Sequence, residues 1–426
     1  MSNNRMAWVV ACLGLLINPT GLGAERPSHR QPDAGIADTP AVSLVTLAEQ
    51  VLRDNPQVQA ARAALEAARA RTRAAGKPLF NPELELDAEQ ATDQTTFLGL
   101  SQTIDWSDKR SARTQTAAYE QAAAAAALAG VHQAIAAELL TALGDYHTAV
   151  AIEALGRQRV ELMQRFAALT EQRRRAGDIS QGELDLARLS SIEASLQRVQ
   201  ATTALAAAKQ ALIVVVGDVL PSWPPLVERL PAIDPDALDM DETLRALPAL
   251  RAQQAELAAT RAAIALRQRE RRPDPTLALR GGHEDRDPLI GVTVSLPLFV
   301  RNDFRAEVEA ASAEALAVEQ RLQNRHRAAR ARFIASAQSY LETQRAWQQW
   351  QRVGESTLER QIRLLERTWQ AGELNTTEYL VQLTQALGTR EKAINLRSQL
   401  WRAWFDWLAA TGQVETWLGL AGRSPK

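Results

Sequence analysis

Between Asn81 and Ile104 apolar and charged positions alternate strictly, with Leu84, Leu86 and Ala88 interleaved with Glu83, Glu85, Asp87 and Glu89 up to a polar turn at Ala91 to Gln94. A period of two puts each set on its own face of a strand, so the stretch predicts a β-hairpin over 82–104. Each arm has about 10 residues, enough to cross a bilayer when tilted. On either side the period changes to that of a helix. Leu44 to Lys77 predicts a helix stopped by Pro78, and Trp106 to Arg113 predicts a new helix entry with Ser107 as its N-cap. No proline follows from Arg110 to Ala176; a continuous helix over that span would be on the order of 100 Å long. Along it Leu139, Leu143, Tyr146 and Val150, then Leu162, Phe166 and Leu169, recur at three- and four-residue spacing. Leu186, Leu189, Ile192, Leu196 and Val199 do the same after Gly177, and both runs predict coiled-coil seams. The run Ala122 to Ala127 permits close helix approach and equally well reflects plain helix propensity.

The pattern then repeats. Asn55-Pro56 returns as Leu247-Pro248, Asn81-Pro82-Glu83-Leu84 as Asp274-Pro275-Thr276-Leu277, and Ala176-Gly177-Asp178-Ile179 as Ala371-Gly372-Glu373-Leu374. The two halves, 44–217 and 242–412, are each predicted as helix, hairpin, long helix, Gly tip and returning helix. A proline-rich linker over 218–241 joins them, and 413–426 reads as a tail. In the second half the predicted hairpin spans 275–298, with strands from Pro275 to His283 and Leu289 to Leu298. Ile290, Val292, Val294 and Leu296 form its apolar face. Four strands cannot close a barrel alone, whereas three copies would supply twelve and leave no edge. The fold class is therefore mainly α with a small β part: a long α-helical coiled-coil barrel plus a transmembrane β-barrel formed by a homotrimer. A wet lumen lined by Glu85, Asp87, Glu89, Ser101 and Thr103 makes the chain a channel.

Composition narrows the setting. The formal net charge of −1 argues against a nucleic-acid partner. Residues 1–24, with Arg5 ahead of an apolar core from Met6 to Ile17 and small residues at Gly23 and Ala24, predict a signal peptide. An extended linker follows over 25–43. The sole cysteine, Cys12, lies within that signal in a context loosely like a lipoprotein box, so the rest of the chain has no thiol for disulfides or metal. No later run of 18 consecutive apolar residues predicts a spanning helix. Trp401, Trp404 and Trp407 recur every third residue, as in helix packing. His283-Glu284-Asp285-Arg286-Asp287 has ligand-type side chains, and a polar outward-facing loop explains it as well. No nucleophile with its base, phosphate loop or zinc motif is present, so neither an enzyme nor a cofactor is expected.

In order and in duplicate, Asn81-Pro82-Glu83-Leu84, Leu100-Ser101-Gln102-Thr103-Ile104 with Lys109-Arg110, Val294-Ser295-Leu296-Pro297-Leu298-Phe299 and the tips at Gly177 and Gly372 resemble the TolC family of outer-membrane efflux proteins, in its CzcC-like cation-efflux branch. The resemblance implies a homotrimeric exit duct in the outer membrane that extends through the periplasm. It also implies a periplasmic membrane-fusion adapter and an inner-membrane RND pump as partners, with heavy-metal cations as cargo. A drug or type I secretion duct of the same fold is the alternative, and a periplasmic coiled-coil adapter without a pore is the alternative from another class. The resemblance further implies adapter-docking turns at Gly177, Asp178, Ile179, Ser180 and at Gly372, Glu373, Leu374, Asn375, positions that plain helix capping also explains. Just above them it implies a periplasmic gate at Glu183 and its repeat equivalent Glu378. A second acidic gate position found in some members is Val381 here. Arg173, Arg174 and Arg175 read as a solvated basic face.

Overall fold

A computed structural model describes residues 41–90, 94–284 and 286–420. The expected signal peptide, most of the linker after it, Cys12, the turn residues 91–93 and Asp285 lie outside the described residues. Helices α1 (Val42–Asp54) and α2 (Pro56–Ala75) replace the single helix expected over 44–77. The break is local: Asn55 is extended, its side chain accepts from the Gln57 amide, and Pro56 fills the first helical position, where its missing N–H costs nothing. Strands β1 (Glu83–Gln90) and β2 (Gln94–Thr103) lead into α3 (Lys109–Ala176), which turns at Gly177 into α4 (Gln181–Val216). The second half runs through a 3-10 turn at Pro235–Ala237, then α5 (Met240–Ala246), α6 (Pro248–Glu270), β3 (Thr276–Glu284) and β4 (Asp287–Ser295). It continues through α7 (Arg305–Gln349), α8 (Glu355–Gln370), α9 (Thr376–Thr411) and α10 (Val414–Trp417).

The four strands form one antiparallel sheet in the order β1-β2-β3-β4, so β1 and β4 are its edges. The helices that feed the strands keep that order, α2 packing on α3, α3 on α6 and α6 on α7. Strand β4 ends at Ser295, short of the expected Leu298, ahead of Pro297, which cannot donate to a ladder. Helix α3 enters by a different route from the one expected. Ser107 does not cap it; Asp108 adopts a left-handed conformation at the N-cap, and the Asp105 carboxylate accepts from the Lys109 and Arg110 amides at 2.8 Å each. At this junction between sheet and helices lies a buried ion pair. Lys109 Nζ donates to Asp274 Oδ2 at 2.9 Å and to the Arg272 carbonyl at 2.6 Å, tying the start of α3 to the entry of β3.

Leu139, Leu140 and Leu143 of α3 pack with Trp401, Trp404 and Trp407 of α9, Tyr340 of α7 and Leu44 of α1 in the largest core. The Trp404 ring lies 5.1 Å from that of Tyr340, and Trp407 5.0 Å from Phe333. The stretch 218–241 is a strap on this core rather than a loose linker. Side chains of the long helices donate to carbonyls of its irregular part: Tyr340 Oη to Pro231 at 2.6 Å and Trp401 Nε1 to Val227 at 3.3 Å. The expected tail packs too, with Val414, Leu418 and Leu420 buried.

Two further expectations change. The second long helix is interrupted by a π turn at Trp350–Gly354, in which the Trp350 ring occupies the space that a Cβ at residue 354 would need. That turn forms one wall of a groove of about 770 Å3 that also touches His147, Trp347, Arg397 and Trp401. The seam on α4 is inverted: Ala187, Ala194 and Ala201, seven residues apart, are buried, while Leu189, Ile192, Leu196 and Val199 are more than half exposed. At Gly156 of α3 a Cβ would stand at ordinary contact distance from the Arg198 backbone, 3.5 Å, and from Ala201, 3.8 Å, so small residues of the two helices meet there. None of Ala122 to Ala127 is buried. Windows of 18 residues in α3 and α4 are apolar enough by composition to span a membrane, although no unbroken apolar run that long exists.

Removing one partner of the Lys109–Asp274 pair leaves a buried, uncompensated charge. Lys109→Met should therefore cost about 3–5 kcal/mol in denaturant unfolding. Surface variants such as Arg165→Ala should change stability by less than about 0.5 kcal/mol.

Candidate functional site: the two sheet faces and the helical tips

The sheet register sorts its side chains into two faces. Glu85 pairs with Gly99, Gly99 with Arg280 and Arg280 with Gly291; one row along, Leu86 pairs with Leu98, Leu98 with Gly281 and Gly281 with Ile290. Because paired residues share a face, Leu84, Leu86, Leu98, Leu100, Leu277, Leu279, Ile290, Val292 and Val294 all lie on one side. This face is exposed, Leu84 to 74 % and Ile290 to 83 %, so none of the described residues covers it. The opposite face carries Glu83, Glu85, Asp87, Glu89, Glu284 and Asp287, with Arg280 the one cation among its described residues. His283 and Glu284 are adjacent in β3 and therefore point to opposite faces, so the strand does not gather them as a ligand set.

At the other end of the long helices the two tips have the same construction. Gly177 (φ +87°) and Gly372 (φ +78°) are left-handed and close Schellman turns: Asp178 N donates to the Arg173 carbonyl at 2.9 Å, and Glu373 N to the Thr368 carbonyl at 3.0 Å. The next helix then starts on a side-chain cap, Ser180 for α4 and Asn375 for α9, whose oxygens accept from the Glu183 and Glu378 amides at 3.3 and 2.8 Å. Ile179 and Leu374 are half-buried; Gly177, Asp178, Ser180, Gly372, Glu373 and Asn375 are exposed. An aromatic cluster joins the two hairpins above the tips. Trp369 stacks on Tyr379 at 4.5 Å, and the Phe166 ring is 5.1 Å from Trp369.

The two predicted gate residues differ. Glu183 completes a capping box, its Oε2 accepting from Ser180 N at 2.8 Å and Ser180 Oγ at 2.9 Å. Those bonds, first from the Ser180 backbone and then from its hydroxyl, hold the Glu183 carboxyl below its usual range, and the Thr376 hydroxyl of α9 adds to the effect. The Glu378 carboxylate makes no hydrogen bond or ion pair among the described residues, and Glu378 is exposed. Arg173 does not belong to a solvated basic face. Its guanidinium donates to the Trp369 carbonyl at 3.2 Å and lies 5.0 Å from that indole, bridging the hairpins, while Arg174 and Arg175 are exposed. Only the three-residue run was visible in the sequence. Which arginine turns inward depends on α8, nearly 200 residues away.

A helical hairpin that occurs twice, each copy joined to half of a two-faced sheet whose apolar side is bare, defines a membrane-channel architecture. The family model for outer membrane efflux proteins matches residues 47–218 and 240–413, and the chain belongs to that family, which consists of transport ducts and not enzymes. The cobalt-zinc-cadmium resistance protein CzcC of Cupriavidus metallidurans is 29 % identical over 231 residues. That match covers 52 % of this chain and spans about half the length of the relative, 55 %. Among solved structures, a membrane protein from Pseudomonas aeruginosa superposes with a TM-score of 0.75 at 20 % identity, covering 91 % of this chain and 99 % of that one. CusC, solved in a study of transmembrane channel formation, superposes with a TM-score of 0.71 at 15 % identity, covering 91 % and 98 %. These likenesses are to the fold.

Capping and charge separate at Glu183. Glu183→Gln keeps an acceptor for the Ser180 amide and should preserve amide-exchange protection in the first turn of α4, whereas Glu183→Ala should lower it, at a cost of about 1 kcal/mol. Because the folded-state pKa is depressed, the wild-type stabilisation is fully present above the ordinary glutamate value and is lost as pH falls through the lowered one. Exchange measured between pH 6 and pH 3 should show that loss in wild type and not in the Gln variant.

Proposed function

We propose that three copies of this chain close into a twelve-stranded barrel in the outer membrane and serve as the exit duct of a tripartite efflux system. The observation that carries this reading is the sheet itself: one bare apolar face, one charged face, and two unpaired edges at β1 and β4. In lipid an unpaired edge costs several kcal/mol per backbone group, and closure with further copies removes it. The exposed row Leu189, Ile192, Leu196 and Val199 on α4 fits the same reading, as a seam for a neighbouring copy. Helices α3, α4, α8 and α9 would then continue the barrel as a helical cylinder through the periplasm.

The cargo is a heavy-metal cation. The relationship to CzcC supports this, as does a polar sheet face with six carboxylates and one guanidinium. A periplasmic membrane-fusion adapter docks at the tips, 177–180 and 372–375, and an inner-membrane RND pump supplies the energy. Glu183 and Glu378, one pair from each of three copies, ring the periplasmic constriction, where like-charge repulsion opposes closure and favours cations. The free carboxylate of Glu378 carries more of that role than Glu183, which is occupied by its cap.

Two experiments test the reading. Leu189→Glu with Ile192→Glu should shift detergent-solubilised protein from trimer to monomer in light-scattering mass measurements; an unchanged trimer would remove α4 as the seam. In planar bilayers Glu378→Gln should lower cation selectivity more than Glu183→Gln does. Equal currents from wild type and both variants would eliminate the gate.

A further inference from the structure

The charged face of the sheet has one exception to its sign, and that exception is built into the register. Arg280 of β3 sits between two glycines, Gly99 of β2 and Gly291 of β4, in a row that starts at Glu85. The stem of Arg280 lies over Gly99: a Cβ there would meet Arg280 Cγ at 3.1 Å and the Glu85 carboxylate at 3.6 Å. Its head group turns to the other side, where Nη2 donates to Thr293 Oγ1 at 3.0 Å. Arg280 forms no ion pair among the described residues, although six carboxylates share its face. Two side-chain-free neighbours and a neutral hydroxyl therefore hold a full positive charge in place without neutralising it.

We propose that Arg280 is a specificity-determining residue of the duct, a fixed counter-charge that limits how strongly the acidic wall holds cations. This rests on the reading of the sheet as one third of a pore wall. Closure would repeat the row three times, setting three Arg280 guanidiniums among the Glu85 carboxylates of the same row, with further carboxylates in the rows on either side. A conducting wall must attract its cargo and also release it. Carboxylates alone would retain divalent cations, and the guanidiniums interrupt that continuous ladder.

The test uses full-length protein in planar bilayers under a potassium chloride gradient. One unit charge acting across about 4–8 Å of water changes the Boltzmann weight of one ion roughly two- to fivefold, and the substitution removes one such charge per copy, so Arg280→Gln is expected to raise the K+/Cl− permeability ratio by at least about that factor and Arg280→Lys to match wild type. Arg280→Cys supplies a second route, since Cys12 is the chain's only other thiol. A positively charged thiol reagent should return the ratio to the wild-type value, and a neutral one should not. Conducting Arg280→Gln channels with the wild-type ratio, or Arg280→Cys channels indifferent to the charge of the reagent, would overturn the assignment. If folded wild-type protein gave no channels at all, the duct reading would fail first and this inference with it.

Discussion

Every backbone group at the edge of a sheet needs a partner, and in lipid water cannot supply one. That requirement governs the rest of this molecule. Among the described residues four strands form the sheet, with β1 and β4 as its unpaired edges and an apolar face that none of the described helices covers. Each half contributes one hairpin, and the helices entering and leaving the strands follow the strand order, so the helical region inherits the same two open flanks. Tip geometry and the junction ion pair hold this open sheet and its helices in a fixed relation, and the proposed closure by further copies would use that shape.

The junction shows how the wall is fixed to the helices. Lys109 and Asp274 come from different halves of the chain and meet where α3 begins and β3 is about to begin. A buried pair of this kind is weak evidence for net stability, yet it defines a register that an apolar contact could slide out of. Farther along, the strap at 218–241 and the aromatic core around Tyr340 and Trp404 join the two hairpins at mid-length, and Phe166, Trp369 and Tyr379 join them again near the tips. The two halves are thus tied at three levels along the long helices.

Much of this was legible in the sequence, for a physical reason. Period-two alternation at Leu84 to Glu89, absence of proline through α3 and glycine at both tips are local signals, and each determines backbone geometry without help from distant residues. What the sequence did not disclose depends on a partner far along the chain. The leucine row on α4 looks like an internal seam until the fold turns Ala187, Ala194 and Ala201 inward in its place. Ser107 has the right side chain for a cap, but Asp105 reaches the free amides first. Arg173 is indistinguishable from Arg174 and Arg175 until Trp369 is placed beside it. At the π turn the Trp350 ring fills the space that a Cβ at residue 354 would need, a fit that only the helix geometry reveals. Arg280 was passed over because its significance lies in the register, which puts Gly99 and Gly291 on either side of it.

If alternation in β1 separates lipid from water, cysteine accessibility along the strand reads it most directly. With cysteine placed in turn at positions 83 to 89 of the membrane-embedded protein, a charged, membrane-impermeant thiol reagent should label positions 83, 85, 87 and 89 rapidly and leave 84, 86 and 88 unmodified. Uniform labelling along the strand, or labelling with the opposite phase, would contradict the account.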